Sequence, residues 1–213
     1  MRLNLSADEV LTTTRSVRKR LDFDKPVPRE VLMECLDIAL QAPTGSNAQG
    51  WQWVFVEDPA KKKALADIYR ATGTGYLDLP KPIRGDIRDQ QMDAVVDSAK
   101  YLNQNMEKAP VMMIPLLEGR PEGADAGMQA SFWGSLLPAV WSFMLALRER
   151  GIGTAWTTLH LIGEGEKQAA DLLGIPFQHY TQGGLFPIAY TKGTDFKLAK
   201  RLPAEQLTHW DSW

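Results

Sequence analysis

The 213-residue sequence predicts a single α+β or α/β domain. Segments with helical spacing of apolar residues alternate with short apolar runs that are bounded by glycine, proline and polar residues and are typical of strands. Hairpin signals are few, which favours a mixed fold over an all-β one. A chain of this length can bury most of its apolar surface without a disulfide or a structural metal. We therefore expect one domain over 1–213, with a lid-like insert at 72–85 and a C-terminal arm at 192–213.

Capping and proline signals define the elements of the N-terminal half. Ser6 and Glu9 form a capping box, Pro28 is suited to a first helical turn, and Pro43 ends the helix before it. In order, the sequence predicts a helix from Ser6 to about Arg15, a loop over 21–27, a helix from Pro28, a polar loop over 44–50, a strand over 51–56, a helix from 58 to about 70, the Gly- and Pro-rich insert 72–85, and a polar helix over 86–108.

The C-terminal half is dominated by one apolar helix over 124–150, kinked or entered near Pro138. A helix that is apolar on nearly all sides must be buried by the domain centre or by a partner subunit. Its core, Phe132 to Leu147, is interrupted by glycine, serine and proline and is judged too short to span a bilayer. The other predicted elements are strands over 111–117 and 154–159, a helix over 164–173 and a strand region over 180–190.

Composition excludes several classes of partner. The net charge is −2, so the overall balance gives no attraction to nucleic acid. The tryptophans at 51, 53, 133, 141 and 156 are interpreted as core or interface packing and not as a stacking platform for bases. The only cysteine, Cys35, suits a reducing compartment. With no apolar run of signal-peptide type at the start, we expect a cytoplasmic protein without a membrane or nucleic-acid partner.

Two polar segments are candidates for binding an anionic, flat ligand. Arg15–Arg20 places four cations and a hydroxyl at a helix end, a set that can hold a phosphate but can equally be a solvated face. Pro43–Trp53 offers hydroxyl and amide side chains, and its glycines let backbone approach a ring. Loops of this kind before a strand are also often simple turns.

Two further segments are weaker candidates. Gly151–Thr158 is a glycine-rich turn that leads into a strand, although a helix C-cap explains its glycines equally well. Lys192–Arg201 carries cations close to the C-terminus and by itself is typical of a solvated tail.

Other chemistries lack their signatures. The chain has three histidines, at 160, 179 and 209, but no Gly-x-Ser-x-Gly elbow of a hydrolase. No cluster of histidine, cysteine and carboxylate has the spacing of metal ligands. Gly73-Thr74-Gly75 lacks the third glycine and the strand–helix setting of a dinucleotide fingerprint.

Taken together, the four segments resemble the FMN-dependent nitroreductase family over nearly the whole chain. The resemblance rests on the early Arg-Ser-Val-Arg, the Ala-Pro-Thr-Gly-Ser-Asn-Ala-Gln-Gly-Trp loop before a strand, Gly-Ile-Gly-Thr-Ala-Trp after a long helix, and the terminal Lys-Arg-Leu-Pro. It implies an α+β fold with a central, mainly antiparallel sheet flanked by helices. It also implies an arm-exchanged homodimer with FMN at the subunit interface, where the apolar helix forms much of the contact.

The resemblance further implies a role for each matching residue. The implied FMN contacts are Arg15 and Arg201, helped by Lys200, at the phosphate; Ser16 at the phosphate or ribityl chain; Arg18 at the pyrimidine edge; Asn47 and Gln49 at the ribityl chain or ring edge; Pro43, Thr44 and Ser46 around the ring; and the backbone of Ala155, Trp156 and Thr157 near N5. A cation at the pyrimidine edge raises the reduction potential of a flavin.

The implied activity is ping-pong hydride transfer from NADH or NADPH through flavin N5 to a small acceptor such as a nitroaromatic or quinone. No side chain is expected to be catalytic, because the cofactor carries the chemistry. Relatives with this fold dehalogenate substrates, reduce activated alkenes or destroy flavin, so these reactions are alternatives for this protein. A non-catalytic flavin-binding protein is a further alternative. Lys81, Arg84 and Arg88 are candidates for reading the 2′-phosphate of NADPH.

Overall fold

The computed structural model describes residues 2–213 and contains six α-helices and a six-stranded sheet in that range. The helices are α1 (Ala7–Thr13), α2 (Arg29–Ala39), α3 (Pro59–Asp78), α4 (Asp89–Asn105), α5 (Ala126–Glu149) and α6 (Gly165–Leu173). The strands are β1 (Leu21–Asp22), β2 (Trp51–Val56), β3 (Val111–Glu118), β4 (Ile152–Thr154), β5 (Tyr180–Gln182) and β6 (Phe186–Thr191).

Every strand pair in the sheet is antiparallel, as the α+β prediction requires. The main order is β1-β6-β3-β2, with β4 paired to β6 and β5 paired to β3. β3 is buried along seven of its eight residues, which identifies it as the centre of the sheet. Its side chains alternate between two cores: Met113 faces α2 and α5, whereas Met112 and Ile114 face α3, α4 and α6.

Two predicted boundaries near the ends of elements are wrong. α1 ends at Thr13, because Thr14 adopts extended backbone, and the chain then runs as a loop through Arg15. Leu21–Asp22, predicted as loop, pairs with β6. The strand region expected over 180–190 consists of two strands, β5 and β6, which both pair with β3 and are separated at Gly184, whose φ is +143°.

The insert at 72–85 is partly helical. α3 continues to Asp78 instead of ending near Arg70, since Gly73 lets the helix pass against the 159–161 turn, where an added Cβ would lie 2.9 Å from Leu159 Cβ. Thr72 Oγ1 donates to Leu159 O at 2.7 Å and ties the same two segments together. Only 79–88 is irregular, between α3 and α4.

The strand predicted over 154–159 is shorter than expected and lies earlier in the chain. β4 ends at Thr154, Thr157 makes only an isolated bridge with Leu185, and Leu159–Leu161 is a 3-10 turn. After β4, Thr157 hydrogen-bonds to Tyr69 of α3, whereas Trp156 packs on Phe186 of β6 and donates to Gly183 O.

Helix α5 is continuous through Pro138 and packs on α2 and β4. It is the one helix within 2–213 that is long and apolar enough to cross a membrane by length and composition, and it extends beyond the 132–147 stretch that the sequence prediction concerned. The core helix of a soluble protein passes the same test. Phe143 and Leu147, both fully buried here, account for part of that apolar character.

Candidate functional site

The principal cavity has a volume of about 570 Å³ and lies between α3, α4, the 79–88 segment and the 156–162 segment. Buried Tyr69, with its hydrogen-bond partner Thr157 and its neighbour Arg18, defines the inner end, and the 79–88 segment, where Arg84 is exposed and Lys81 half-buried, defines the outer end. A cavity of this size with apolar walls and a few polar groups is typical of a small-molecule site. It is formed by the helical part of the predicted insert together with the residues that follow β4.

Arg18 is a half-buried cation without a carboxylate partner among the described residues. Burial lowers the pKa of its guanidinium, and the neighbouring Tyr69 hydroxyl opposes that shift only in part. Its hydrogen bond in the chain is from Nη1 to Ser98 Oγ at 3.4 Å. An uncompensated guanidinium at the inner end of a cavity is costly unless a ligand supplies negative charge.

Tyr69, which sequence reasoning missed, completes the polar inner end. Its side chain is 2% exposed, and its hydroxyl accepts a hydrogen bond from Thr157 Oγ1 at 3.0 Å. The pKa of Tyr69 is raised by burial, against the opposing effect of the Thr157 bond and the Arg18 charge. No local motif marks this tyrosine, because it lies in the middle of α3 and meets Arg18 only through the fold.

The basic segment Arg15–Arg20 divides into two kinds of cation. Lys19 pairs with Asp97 and Arg20 with Asp195, so these two charges are compensated on the surface. Arg15 and Arg18 form no ion pair within residues 2–213. The Cα atoms of Arg15 and Arg18 are at most about 10 Å apart, because they are only three positions apart in the chain. Ser16, which lies between them, is exposed.

Arg15 belongs to a cluster of guanidinium groups. Its pKa is lowered by burial and by the positive charge of Arg201, so the two side chains lie within electrostatic range of each other. Arg15 donates only to main-chain oxygens, among them Lys197 O, which anchors the start of the C-terminal arm. Arg148 joins the cluster: it is 6% exposed and its Nη1 is buried without a hydrogen-bond partner. The cluster is chemically suited to a phosphate.

Gly153 explains how the basic segment reaches the rest of the site. Val17 N donates to Thr154 O at 2.9 Å, which holds the segment against β4. A Cβ at 153 would lie 2.7 Å from Thr191 Cγ2 and 3.0 Å from Val17 Cβ. The glycine-rich turn therefore has a packing role in addition to ending α5.

The three residues predicted after that turn have different environments. Trp156 and Thr157 line the cavity, while Ala155 is fully buried in the core and does not. The Trp156 indole N–H donates to Gly183 O at 3.0 Å, so the protein itself uses that donor.

The loop at 43–50 has an unusual backbone. Ser46, Asn47 and Gln49 all have positive φ, between 50° and 53°, although none is glycine. Strain of this kind in a loop indicates a functional role. Gln49 Nε2 donates to Asn47 Oδ1 at 2.9 Å, and the side chains of Pro43, Ser46, Asn47 and Gln49 are exposed. Thr44, half-buried, accepts through Oγ1 from Gln49 N.

One protomer does not bring this loop to the arginine cluster. Gly45 N donates to Ser135 Oγ in the first half of α5, whereas Arg148, at the end of α5, lies beside Arg15. Thirteen residues of helix separate Ser135 from Arg148, or about 20 Å. The predicted contacts therefore form two groups within a single chain.

Helix α5 exposes an uncharged face between those groups. Its exposed residues recur with helical spacing, and no charged residue occurs from Ala126 to Leu147. The face is formed by Gly127, Ser131, Gly134, Pro138 and Trp141. Exposed, contiguous apolar surface of this kind marks an interaction site.

The C-terminal arm leaves apolar side chains in solvent. Arg201 and Lys200 are exposed, and beyond them Trp210 is 84% and Trp213 fully exposed. Apart from a 3-10 turn at Ala204–Leu207, the arm has no helix or strand after β6.

His160 is a buried histidine that is bonded within the core. His160 is fully buried, burial lowers its pKa to about 4, and its Nε2 is bonded to Gln182 Oε1. No group of three histidine, cysteine or carboxylate side chains within 2–213 could hold a metal ion.

The three cations considered for reading NADPH separate in the structure. Lys81 and Arg84 line the cavity, but Arg88 does not, because its guanidinium is held by the Asp86 carboxylate.

Comparison with known proteins agrees with this architecture. A family model described as "Nitroreductase family" matches residues 11–190. The chain is 26% identical over 220 residues to an NADH dehydrogenase from Thermus thermophilus, covering 97% of this chain and 96% of that protein.

Solved structures show the same fold. An FMN and NADPH-dependent nitroreductase, NfnB from sphigopyxis sp. strain HMH, superposes with a TM-score of 0.72 at 22% identity, covering 98% of this chain and 100% of that one. An oxidized iodotyrosine deiodinase bound to FMN and 3-iodo-L-tyrosine gives a TM-score of 0.69 at 21% identity, covering 95% and 98%. The nitroreductase-like α+β fold predicted from the sequence is thereby confirmed.

Proposed function

We propose, on the premise that this chain belongs to the nitroreductase family, that it is an FMN-dependent oxidoreductase. It takes electrons from NADH or NADPH and passes them to a small acceptor of the nitroaromatic or quinone type. The observation that supports this most strongly is the pair of cationic positions without an ion-pair partner within residues 2–213, the Arg15–Arg201–Arg148 cluster and half-buried Arg18. Arg15 and Arg18 lie on one short segment, and Arg18 lines a cavity large enough for a ring.

The residues present fit FMN. The phosphate requires buried cationic donors, and the cluster holds Arg148 Nη1, which has no hydrogen-bond partner among residues 2–213. Lys200, next to Arg201, adds a further exposed cation, and Ser16 a hydroxyl. Arg18 is the cation proposed for the pyrimidine edge. FMN, when bound, supplies the hydride chemistry.

The remaining predicted contacts act from the partner subunit in this proposal. Because the loop at 43–49 lies about 20 Å along α5 from Arg148, Asn47 and Gln49 reach a cofactor held by Arg15 only from a second copy. The uncharged face of α5 between them is the surface proposed to bury that copy. The exposed end of the arm, 203–213, is proposed to exchange between subunits.

The proposed activity is tested with the absorption spectrum of the purified protein. We expect flavin bands that bleach on anaerobic addition of NADH or NADPH and return with a nitroaromatic or quinone. Iodotyrosine is included as a second acceptor, because a deiodinase shares the fold. A protein that binds no FMN, even when FMN is added, would contradict the proposal. A flavoprotein that reacts with iodotyrosine alone would assign the chemistry to dehalogenation.

The proposed dimer is tested with Gly134→Glu on the exposed face of α5. A Cβ at 134 meets nothing within 4 Å in the protomer, so a monomer would accept the change and gain helix propensity. A buried subunit interface would instead receive an unpaired charge. We expect dissociation by sedimentation velocity, with loss of FMN. The matched control is Gly75→Glu, at an exposed glycine of α3 that also has no neighbour within 4 Å. Unchanged association in Gly134→Glu would contradict this interface.

A further inference from the structure

We infer, building on the proposed function, that the cavity accepts a flat aromatic acceptor that carries an anionic group, and that Lys81 and Arg84 recognise that group. The charge of the lining residues and their arrangement support this substrate class. It narrows the proposed acceptor from nitroaromatics and quinones in general to acidic ones.

The walls of the cavity are suited to a flat apolar body. They are formed by aliphatic side chains from α3, α4 and the 156–162 segment, namely Leu77, Met92, Val95, Val96, Ala99 and Ile162. Trp156 presents its ring without a free donor, because its N–H is bonded to Gly183 O. A ring that enters this space is held by apolar contact and not by polar groups along its edge.

The charges that line the cavity all have one sign. Arg18, Lys81 and Arg84 are cations, and no aspartate or glutamate is among the lining residues within 2–213. The groove that adjoins it, which shares Leu77, Lys81, Met92 and Val96 with it, is lined by Asp78, Asp93 and Asp97 together with Lys100. The lining charge is therefore purely positive in the cavity and mixed in the adjoining groove.

Lys81 and Arg84 are held in place without being neutralised. Lys81 Nζ donates to Tyr76 O at 3.0 Å and lies 4.6 Å from the centre of the Tyr76 ring. Asp89 accepts hydrogen bonds from the backbone N–H of Arg84 at 3.1 Å, while the guanidinium of Arg84 forms no ion pair within the described residues. The Asp86 carboxylate also interacts electrostatically with Arg84, but its hydrogen bonds are to Arg88.

The positions of the cations orient the ligand. Arg18, Tyr69 and Thr157 occupy the inner end, beside the segment proposed to hold the cofactor, whereas Lys81 and Arg84 lie on the irregular segment 79–88 at the outer end. An acceptor with a negative group opposite its reducible group places the reducible group inward. A neutral acceptor of the same shape lacks this orientation.

The test compares isosteres on the FMN-loaded protein. Calorimetry measures the binding of benzoate, benzamide and benzylammonium, and steady-state kinetics compares 4-nitrobenzoate with 4-nitrobenzamide. Because a hydrogen bond to a charged group is stronger than one between neutral groups, we expect benzoate to bind about tenfold or more tightly than benzamide. The same preference should appear in kcat/KM, mainly through KM.

The variant Lys81→Met/Arg84→Met should abolish the preference for benzoate and leave benzamide binding within about twofold. The matched control, Lys61→Met/Lys63→Met, removes two positive charges from exposed positions in the first turns of α3 and should keep the preference. Equal affinity for benzoate and benzamide in the wild type would overturn the inference.

NADPH, one of the two proposed electron donors, also carries an anionic group, its 2′-phosphate. A second experiment distinguishes recognition of this phosphate from recognition of the acceptor. Flavin reduction by NADH and by NADPH is measured in the same variants. A loss confined to NADPH, with the benzoate preference intact, would assign the two cations to the 2′-phosphate and overturn the inference. Absence of flavin bleaching with either nicotinamide would instead count against the proposed function, whereas benzoate binding would still be measurable.

Discussion

We expect the proposed binding of FMN to weaken by about 30-fold or more in Arg15→Gln/Arg201→Gln. Each guanidinium would make a charge-assisted hydrogen bond to the phosphate, and loss of about 2 kcal/mol from one such contact corresponds to about 30-fold in affinity. Burial lowers the pKa of Arg15, and repulsion by the positive charge of Arg201 lowers it further in the protein without a ligand. A phosphate relieves that repulsion. Quenching of FMN fluorescence on titration measures the dissociation constant.

Two companion variants make this result interpretable. Arg15 also donates to Lys197 O and thereby holds the C-terminal arm, whereas the one hydrogen bond of Arg201 among the described residues is to the adjacent Lys200 O. Arg201→Gln alone therefore tests the phosphate contact and leaves the Arg15–Lys197 hydrogen bond in place. It should lose about tenfold or more. The control Lys63→Gln/Lys167→Gln removes two cations that pair with Asp67 and Asp171 on the surfaces of α3 and α6. FMN affinity unchanged in Arg201→Gln and in the double variant would refute the phosphate assignment.

The largest effect on stability is expected from Gly165→Ala. An added Cβ at the first residue of α6 would lie 2.1 Å from the carbonyl oxygen of His160, a main-chain atom that cannot rotate away. The turn must open, which disturbs the fully buried His160 and its bond to Gln182. We expect the free energy of unfolding to fall by about 3 kcal/mol or more, measured by urea denaturation.

The matched control is Gly75→Ala in α3, where an added Cβ meets nothing within 4 Å. That variant should be neutral or more stable by about 0.4–1 kcal/mol, because alanine restricts the unfolded chain and favours helix. Equal stabilities for the two variants would show that the 160–165 turn relaxes freely, contrary to the packing described.

Elements with strong local signals were predictable from the sequence. The Ser6–Glu9 capping box does begin α1, with Ser6 N donating to Glu9 Oε2 at 2.7 Å. β2 was predicted with its observed bounds, because alternating aromatic and β-branched residues follow a polar loop. α3 was predicted too short, because Thr72–Gly75 has the composition of a loop. The glycine at 73 is explained by the packing of Leu159, which lies too close to this part of the helix for a Cβ.

The candidate site was predictable as a set of motifs but not as an arrangement. Four cations in Arg15–Arg20 look alike in the sequence, yet two are neutralised by Asp97 and Asp195, which are 78 and 175 residues away. Tyr69 and Arg148 belong to the site and carry no motif. The loop at 43–49 and the arginine cluster, placed around one cofactor by resemblance, lie at separate positions along α5.

Helix and strand content, the polar loop and the basic segment follow from the order of residues alone, because caps, turns and hydrophobic periodicity act over a few neighbouring positions. Which cations stay uncompensated, which glycines permit close packing and which face of α5 remains exposed were decided only by the tertiary structure. These properties depend on contacts between residues far apart in the chain, and an ion pair or a packed Cβ exists only when the fold brings both partners together.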